Sequence, residues 1–333
     1  MSAEGILRNL AINFLRHLPG AANRLHTEAS ISFIKDVVCY NQGRLADYYF
    51  LTNKKHKDLK GKLLEIQNAQ TSPSNGQLSE LSELYEDLNS YISMGFREVC
   101  SKNFQSLIRF YSYRARNGPP PRICLKAVRD QNVVTLARNQ YSSALEEELP
   151  ASSNSAFMEI KDTSSFYFCS DIPKAIQRNK YKNPRIHEDV VKRFYKKPGP
   201  WRSWTIRRGM GEDEKWIQCW KRIQSPAGET MPDVTTCYKS TLVIPMSLIA
   251  NDSSLSNEFR EHFHIKYGSS KVNIAFLCFD HVNINFFNRK EDVNVGYIFS
   301  DLLSLYLIQS LNCTDYSKIF NESTHILRLN GLI

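Results

Sequence analysis

The chain has 333 residues, 42% hydrophobic and 23% charged, and a formal net charge of +9. That is enough chain to bury one large core or two smaller ones, and two units are the reading favoured here. No apolar run approaches the roughly 20 residues that cross a bilayer, so a membrane-spanning chain is not expected.

The N-terminal segment Ile6 to Leu18, with Arg8 and Arg16 around Leu10 and Phe14, reads as a first helix docked on the protein. A surface-seeking or targeting helix is the alternative. Residues 1 to about 116 look helical: Ile34, Val38, Leu45 and Tyr49 recur at three-to-four spacing, and Leu59, Leu63, Leu64 and Ile66 form a short stripe. A polar loop follows at 71–76, then a long helix from Gln77 to about Arg114. Heptads counted from Leu81 give Leu81, Leu84, Leu88 and Tyr91 before meeting Gly95 and Glu98. Two good heptads favour a helix packed within its own domain over a dimer stalk. Pro119, Pro120 and Pro121 form a stiff link after it.

Strands begin beyond the prolines. Arg122 to Val128 and Val133 to Ala137 flank a polar turn and read as a hairpin. A short helix opens near Ser153, and Ser165 to Cys169 is a third strand leaving into Asp171. Ser240 to Met246 and Lys271 to Phe279 read as central strands, followed by an apolar helix from an acidic cap at Asp292 to Leu311. Leu242, Ile244, Ile274, Phe276 and Cys278 are expected to share one core with Ile298, Leu302, Leu303 and Leu307.

Between Asp171 and Tyr238 lies a basic segment with all four tryptophans: Trp201, Trp204, Trp216 and Trp220. From Lys174 to Arg208 twelve basic residues stand against Glu188 and Asp189, which leaves the rest of the chain at about −1. The alternation in Trp201 to Arg208 and in Lys215 to Ile223, across Gly209 and Gly211, predicts a β-hairpin. Aromatic faces beside guanidinium groups can stack a planar base and hold a phosphate. Trp201, Trp204, Arg207, Arg208, Arg193 and Lys196 are therefore the candidate ligand-binding residues. The competing reading makes the tryptophans a small core with a solvated basic rim, and Trp216 and Trp220 lean towards it.

The order of elements from Pro121 to Ser317 resembles a GAF domain, the small-molecule-binding relative of PAS. The quoted hairpin, helix, strand into an acidic turn, helix, proline-terminated strand, strand and closing helix carry the resemblance. It implies an α+β fold, an antiparallel sheet with flanking helices, preceded by a mostly helical domain. The expected division is 1–116 for the helical part and 117–333 for the GAF-like part, with the basic insertion at about 174–237. The resemblance also implies a sensor or regulator that binds a small, phosphorylated or nucleotide-like ligand or a protein partner and signals through the helical domain.

No phosphate-loop, dinucleotide, nucleophile-elbow or H-E-x-x-H motif is present, so a non-enzymatic protein is expected. One branch of the GAF family reduces methionine sulfoxide with pocket cysteines; Cys219 and Cys237 are the minor thiol alternative that it implies. His262 and His264 with Cys278, Asp280 and His281 fit no short zinc signature, and no metal site is assigned. The rival function is a nucleic-acid-binding protein tracking phosphates along Lys174 to Arg208. The sequence names no cofactor and is compatible with a homodimer. Eight scattered cysteines without C-x-x-C spacing point to a reducing, cytoplasmic location.

Overall fold

A computed structural model of the chain describes residues 28–69, 74–115, 119–129, 132–139, 149–163, 165–195, 212–225, 228–230, 237–249 and 271–329. They divide into two compact units, residues 28–103 with 301–329, and residues 104–300.

The first unit is built on α1 (Glu28–Asn68) and the part of α2 (Asn75–Ala115) up to residue 103. A reciprocal cap starts α2: the Gln77 N–H donates to Ser74 Oγ at 3.3 Å, and the Ser74 N–H donates to Gln77 Oε1 at 2.9 Å. The two helices run antiparallel, since Asn41 meets Asn103, Tyr48 meets the Ile92 carbonyl, and Lys62 meets Glu80. The buried stripe on α1 is Ile34, Val37, Asn41, Leu45, Tyr48, Thr52, Leu59 and Ile66. Its polar members matter. Asn41 and Asn103, both buried, exchange side-chain amide bonds of 3.0 and 2.9 Å, and each also donates to a carbonyl of its own helix, so the exchange favours this register. Gly95, which interrupts the heptads, is a close-approach site: a Cβ there would lie 2.8 Å from the Tyr48 ring. That ring is held by its hydroxyl on the Ile92 carbonyl and by Tyr306, 5.7 Å away.

In the second unit the described strands are β1 (Arg122–Arg129), β2 (Asn132–Arg138), β3 (Leu149–Pro150), β4 (Tyr167–Cys169), β5 (Ile223–Ser225), β6 (Gly228–Thr230), β7 (Ser240–Ile249) and β8 (Lys271–His281). Six of them form a curled antiparallel sheet in the order β3-β2-β1-β8-β7-β4, while β5 and β6 pair separately. The helices of this unit are α3 (Ser155–Thr163), α4 (Ile172–Gln177), α5 (Glu188–Tyr195), α6 (Glu212–Gln218) and the start of α7 (Glu291–Leu329). The fold is α+β, and its elements follow the order that the GAF resemblance implies. Helix α7 runs on past Leu311, and Asn288, whose Oδ1 accepts the Lys290 N–H at 3.0 Å, caps it in place of Asp292.

One expectation about the core needs correction. Leu242 pairs with Phe279, Ile244 with Leu277, and Val243 with Cys278, and residues opposite each other share a face. Leu242 and Ile244 therefore lie on the face away from Phe276 and Cys278. Ile244 lies against Gly296 of α7, where a Cβ would approach to 2.6 Å, while Phe276 packs on Phe157 of α3 at 4.8 Å. Both faces of β7 and β8 are buried, so apolar residues alone do not reveal which face looks where.

Gly95→Ala is expected to destabilise the chain by about 1 kcal/mol, because overpacking against a pinned ring costs about 1–3 kcal/mol and outweighs a helix-propensity gain of about 1. Gly43→Ala, with nothing within 4 Å of the added methyl, should instead stabilise it. Phe276→Ala should cost about 3–5 kcal/mol in denaturant melts; a loss below about 1 kcal/mol would refute its packing on Phe157.

Candidate functional site

The sheet builds a cavity by cross-strand rows. Alternation on β1 puts Arg122, Cys124 and Lys126 on one face. Register then sets Cys124 opposite Cys278 of β8 and Arg138 of β2, while Arg122 stands opposite Asp280, which pairs in turn with Thr241 of β7. A β-bulge between Leu125 and Lys126 shifts the β1–β2 register, so Thr135 and Arg138 reach the same face although their numbers differ in parity. Lys126 Nζ and Arg138 both donate to Thr135 Oγ1, at 3.3 and 3.2 Å. Phe157, the segment carrying Tyr181, Asn183 and Arg185, and the pair Trp220–Lys221 complete the wall.

Among the described residues, five basic side chains, Arg122, Lys126, Arg138, Arg185 and Lys221, line this cavity together with one acid, Asp280. About 90 Å³ is open to the centres of water-sized atoms. A small molecule fits. Aromatic groups form one side. The Tyr238 ring meets Trp220 at 4.9 Å and lies 5.9 Å from the Arg122 guanidinium, and Asn183 Nδ2 donates to the hydroxyls of Tyr238 (2.7 Å) and Tyr181 (3.3 Å).

The electrostatics separate two thiols from the rest. Cys124 is held below the usual thiol value because the Cys278 S–H supports its thiolate, which outweighs burial, and Lys126 and Arg138 add to the effect. Burial pushes Cys278 well up. The Cys278 S–H also meets the Phe276 carbonyl, in a weak contact at 4.0 Å. The two thiols thus share their first ionisation. Burial also raises the Asp280 carboxyl, against the opposing pull of Arg122 and of the Thr241 hydroxyl, which donates to it at 2.7 Å.

The thiols chosen from sequence do not have these surroundings. Cys219 is pushed up to about 12 by burial and donates to the Lys215 carbonyl; Cys237 is buried, and neither lines the cavity. The predicted second hairpin strand is also replaced: Glu212–Gln218 is α6, its acidic first turn favouring a helix start. Trp216 and Trp220 satisfy helical spacing as well as strand alternation, whereas Cys219 fits the helical spacing alone, and all three are buried. Trp216 is structural, its Nε1–H donating to the carbonyls of Cys237 (3.0 Å) and Tyr238 (3.2 Å).

Trp201, Trp204, Lys196, Arg207 and Arg208 lie outside the described residues, as do His262 and His264. Arg193 is exposed on α5. Of the described part of the basic segment, Lys174, Arg178, Lys180 and Lys182 are exposed, and Arg185 is the member that lines the cavity. No helix among the described residues is long and apolar enough to cross a membrane.

No family model matches the chain, and no curated protein matches it. Among solved structures it is similar to a free methionine-R-sulfoxide reductase from Neisseria meningitidis in complex with its substrate, at 10% identity and a TM-score of 0.29, over 72% of this chain and 95% of that one. It is also similar to the fRMsr of Staphylococcus aureus, at 9% identity and a TM-score of 0.27, over 72% of this chain and 99% of that one. Both are enzymes, and the expectation of a non-enzymatic sensor and regulator is withdrawn beside them. Their substrate is their own; the chemistry of this chain is argued from its own cavity.

Proposed function

We propose that the second unit is a thiol-dependent enzyme acting on a small anionic molecule, with Cys124 as its nucleophile. The observation that carries this is the placement of Cys124 directly opposite Cys278 in the wall of a cavity that bears five basic side chains. A thiolate and not a thiol is the nucleophile, and a neighbouring donor together with cations is the environment that produces one near neutral pH. The same cations draw in an anion and hold it in a partly water-excluded space, where charge interactions are stronger than in bulk water.

In the step this supports, Cys124 Sγ bonds to an electrophilic atom of the bound molecule. The bond from that atom to its leaving group breaks, the electron pair departs with the group, and the Asp280 carboxyl supplies the proton. Transfer of the held group to water or to a second acceptor returns the Cys124 thiolate, and the acceptor's proton passes back to Asp280. Cys278 acts through Cys124, as a positioning and donating residue.

Alkylation tests the reading, with iodoacetate as a small anionic electrophile and iodoacetamide as its neutral counterpart. Peptide mapping of the native full chain should find Cys124 modified ahead of Cys219 and Cys278, with exposed Cys39 as the background thiol. Iodoacetate should be favoured over iodoacetamide at Cys124 more than at Cys39, and Lys126→Ala with Arg138→Ala should abolish that preference. Modification of Cys124 only after unfolding would overturn the proposal.

A further inference from the structure

The hydroxyls of Tyr181 and Tyr238 hold one proton more than the protein uses. Asn183 Oδ1 accepts the Arg185 N–H at 2.9 Å, which fixes the orientation of the amide and turns its donors to the two phenols. Nδ2 donates to Tyr238 Oη at 2.7 Å and to Tyr181 Oη at 3.3 Å. Both amide protons are then spent, and each phenol still carries its own. The two hydroxyls stand 3.4 Å apart, a contact that takes one phenolic proton in either direction. Neither makes another hydrogen bond among the described residues, so one O–H is left to seek an acceptor.

That proton falls to Tyr238. Tyr181 is 2% exposed, and a hydroxyl so buried turns its proton to the neighbour within reach. Tyr238 is half-buried and lines the cavity. Its oxygen accepts from Asn183 and from Tyr181, which fills both lone pairs and polarises its O–H. Burial pushes the Tyr238 phenol up, so the group stays protonated, a donor and not a base. It is also held in place. The Lys182 N–H donates to Ser155 Oγ at 2.8 Å, which ties the Tyr181–Asn183 segment to the start of α3, and the Lys239 N–H donates to the His281 carbonyl at 2.8 Å. The Arg122 guanidinium lies 5.9 Å from the Tyr238 ring, and Arg122 and Asp280 each stand two residues, roughly 7 Å along a strand, from a member of the thiol pair.

We infer that the Tyr238 O–H binds an oxygen acceptor of the substrate, so that the molecule attacked by Cys124 carries a carbonyl or carboxylate oxygen close to its reacting atom. This deepens the proposed function and rests on that reading of the cavity. Tyr238 gives up no proton: its hydrogen bond strengthens as negative charge collects on that oxygen, while Asp280 serves the leaving group. A molecule without such an oxygen leaves the O–H unmade, which makes Tyr238 a specificity-determining residue.

The test uses the full chain with its tyrosines ¹³C-labelled at Cζ, whose signals report the hydrogen bonding of each hydroxyl; Tyr238→Phe and Tyr181→Phe assign the pair. Acetamide and acetate are titrated in parallel, with potassium chloride matching the ionic strength. The inference expects the Tyr238 signal to shift saturably with at least one of them, acetamide marking a neutral oxygen and acetate an ionised one, while the Tyr167 signal stays in place. Asn183→Asp keeps the shape of the side chain but replaces two donors by acceptors that take both phenolic protons. It should weaken the binding read at Tyr238 by at least roughly 2- to 10-fold, the loss of a hydrogen bond of about 0.5–1.5 kcal/mol. No shift of Tyr238 with either compound, or a shift that Asn183→Asp leaves unchanged, would overturn the inference. Failure of the thiol reading remains distinct: Cys124 then resists alkylation while the Tyr238 signal still moves, and a reactive Cys124 beside an unmoved Tyr238 sinks this inference alone.

Discussion

The register between β1 and β8 is the constraint on which the rest of the second unit depends. Antiparallel pairing sets Cys124 against Cys278 and Arg122 against Asp280, and a slip of β1 by one residue would turn Arg122 and Cys124 to the other face. What fixes the register is burial on both sides. Phe276 and Cys278 pack towards α3, while Leu277 and Phe279 face the side where Ile244 meets Gly296 of α7. Each set is apolar enough that exchanging them would leave charged β1 residues inside a hydrophobic layer, at a cost of several kcal/mol per charge.

A cavity so rich in cations works against its own stability. Arg122, Lys126, Arg138, Arg185 and Lys221 share it with one carboxyl, and burial already holds that carboxyl above its usual value. The protein moderates the repulsion locally, by sharing Thr135 Oγ1 between Lys126 and Arg138 and by placing the Arg122 guanidinium near the Tyr238 ring. At Trp220 a buried hydrogen-bond donor is left unmade, a cost that an acceptor would remove. The Cys278 S–H is the main cause of the lowering at Cys124, and Lys126 and Arg138 add to it.

Sequence reasoning recovered the scaffold well and the site poorly, for reasons that individual residues make clear. The hairpin, the strand from Ser240, which runs on through Pro245 to Ile249 where an end at the proline is expected, and the long second helix are legible because their patterns extend over many residues. The cavity was not. Arg138 reaches it only through a bulge that reverses the parity of β2, and Cys124 gains its character from Cys278, 154 positions along the chain, through register alone. The alternation of Arg122, Cys124 and Lys126 was the one available signal, a strand face too polar for a core. Trp216 and Trp220 lean towards a structural role from sequence, and both are buried, but with Trp216 on α6 and Trp220 in a bridge with Ile186 instead of together on one hairpin strand. In the first unit Asn41 and Thr52 were passed over because buried polar residues at stripe positions look like surface until their partners are known.

The central claim is that one thiol of this chain is ionised near neutral pH because of the cavity around it. Ultraviolet thiolate absorbance of the native full chain, followed against pH, measures this directly. The account predicts a thiolate titrating well below the ordinary cysteine value of about 8.5, absent from Cys124→Ser and shifted upward in Cys278→Ala. A native chain in which no thiolate appears below that value, or one whose low titration survives Cys124→Ser, would contradict it.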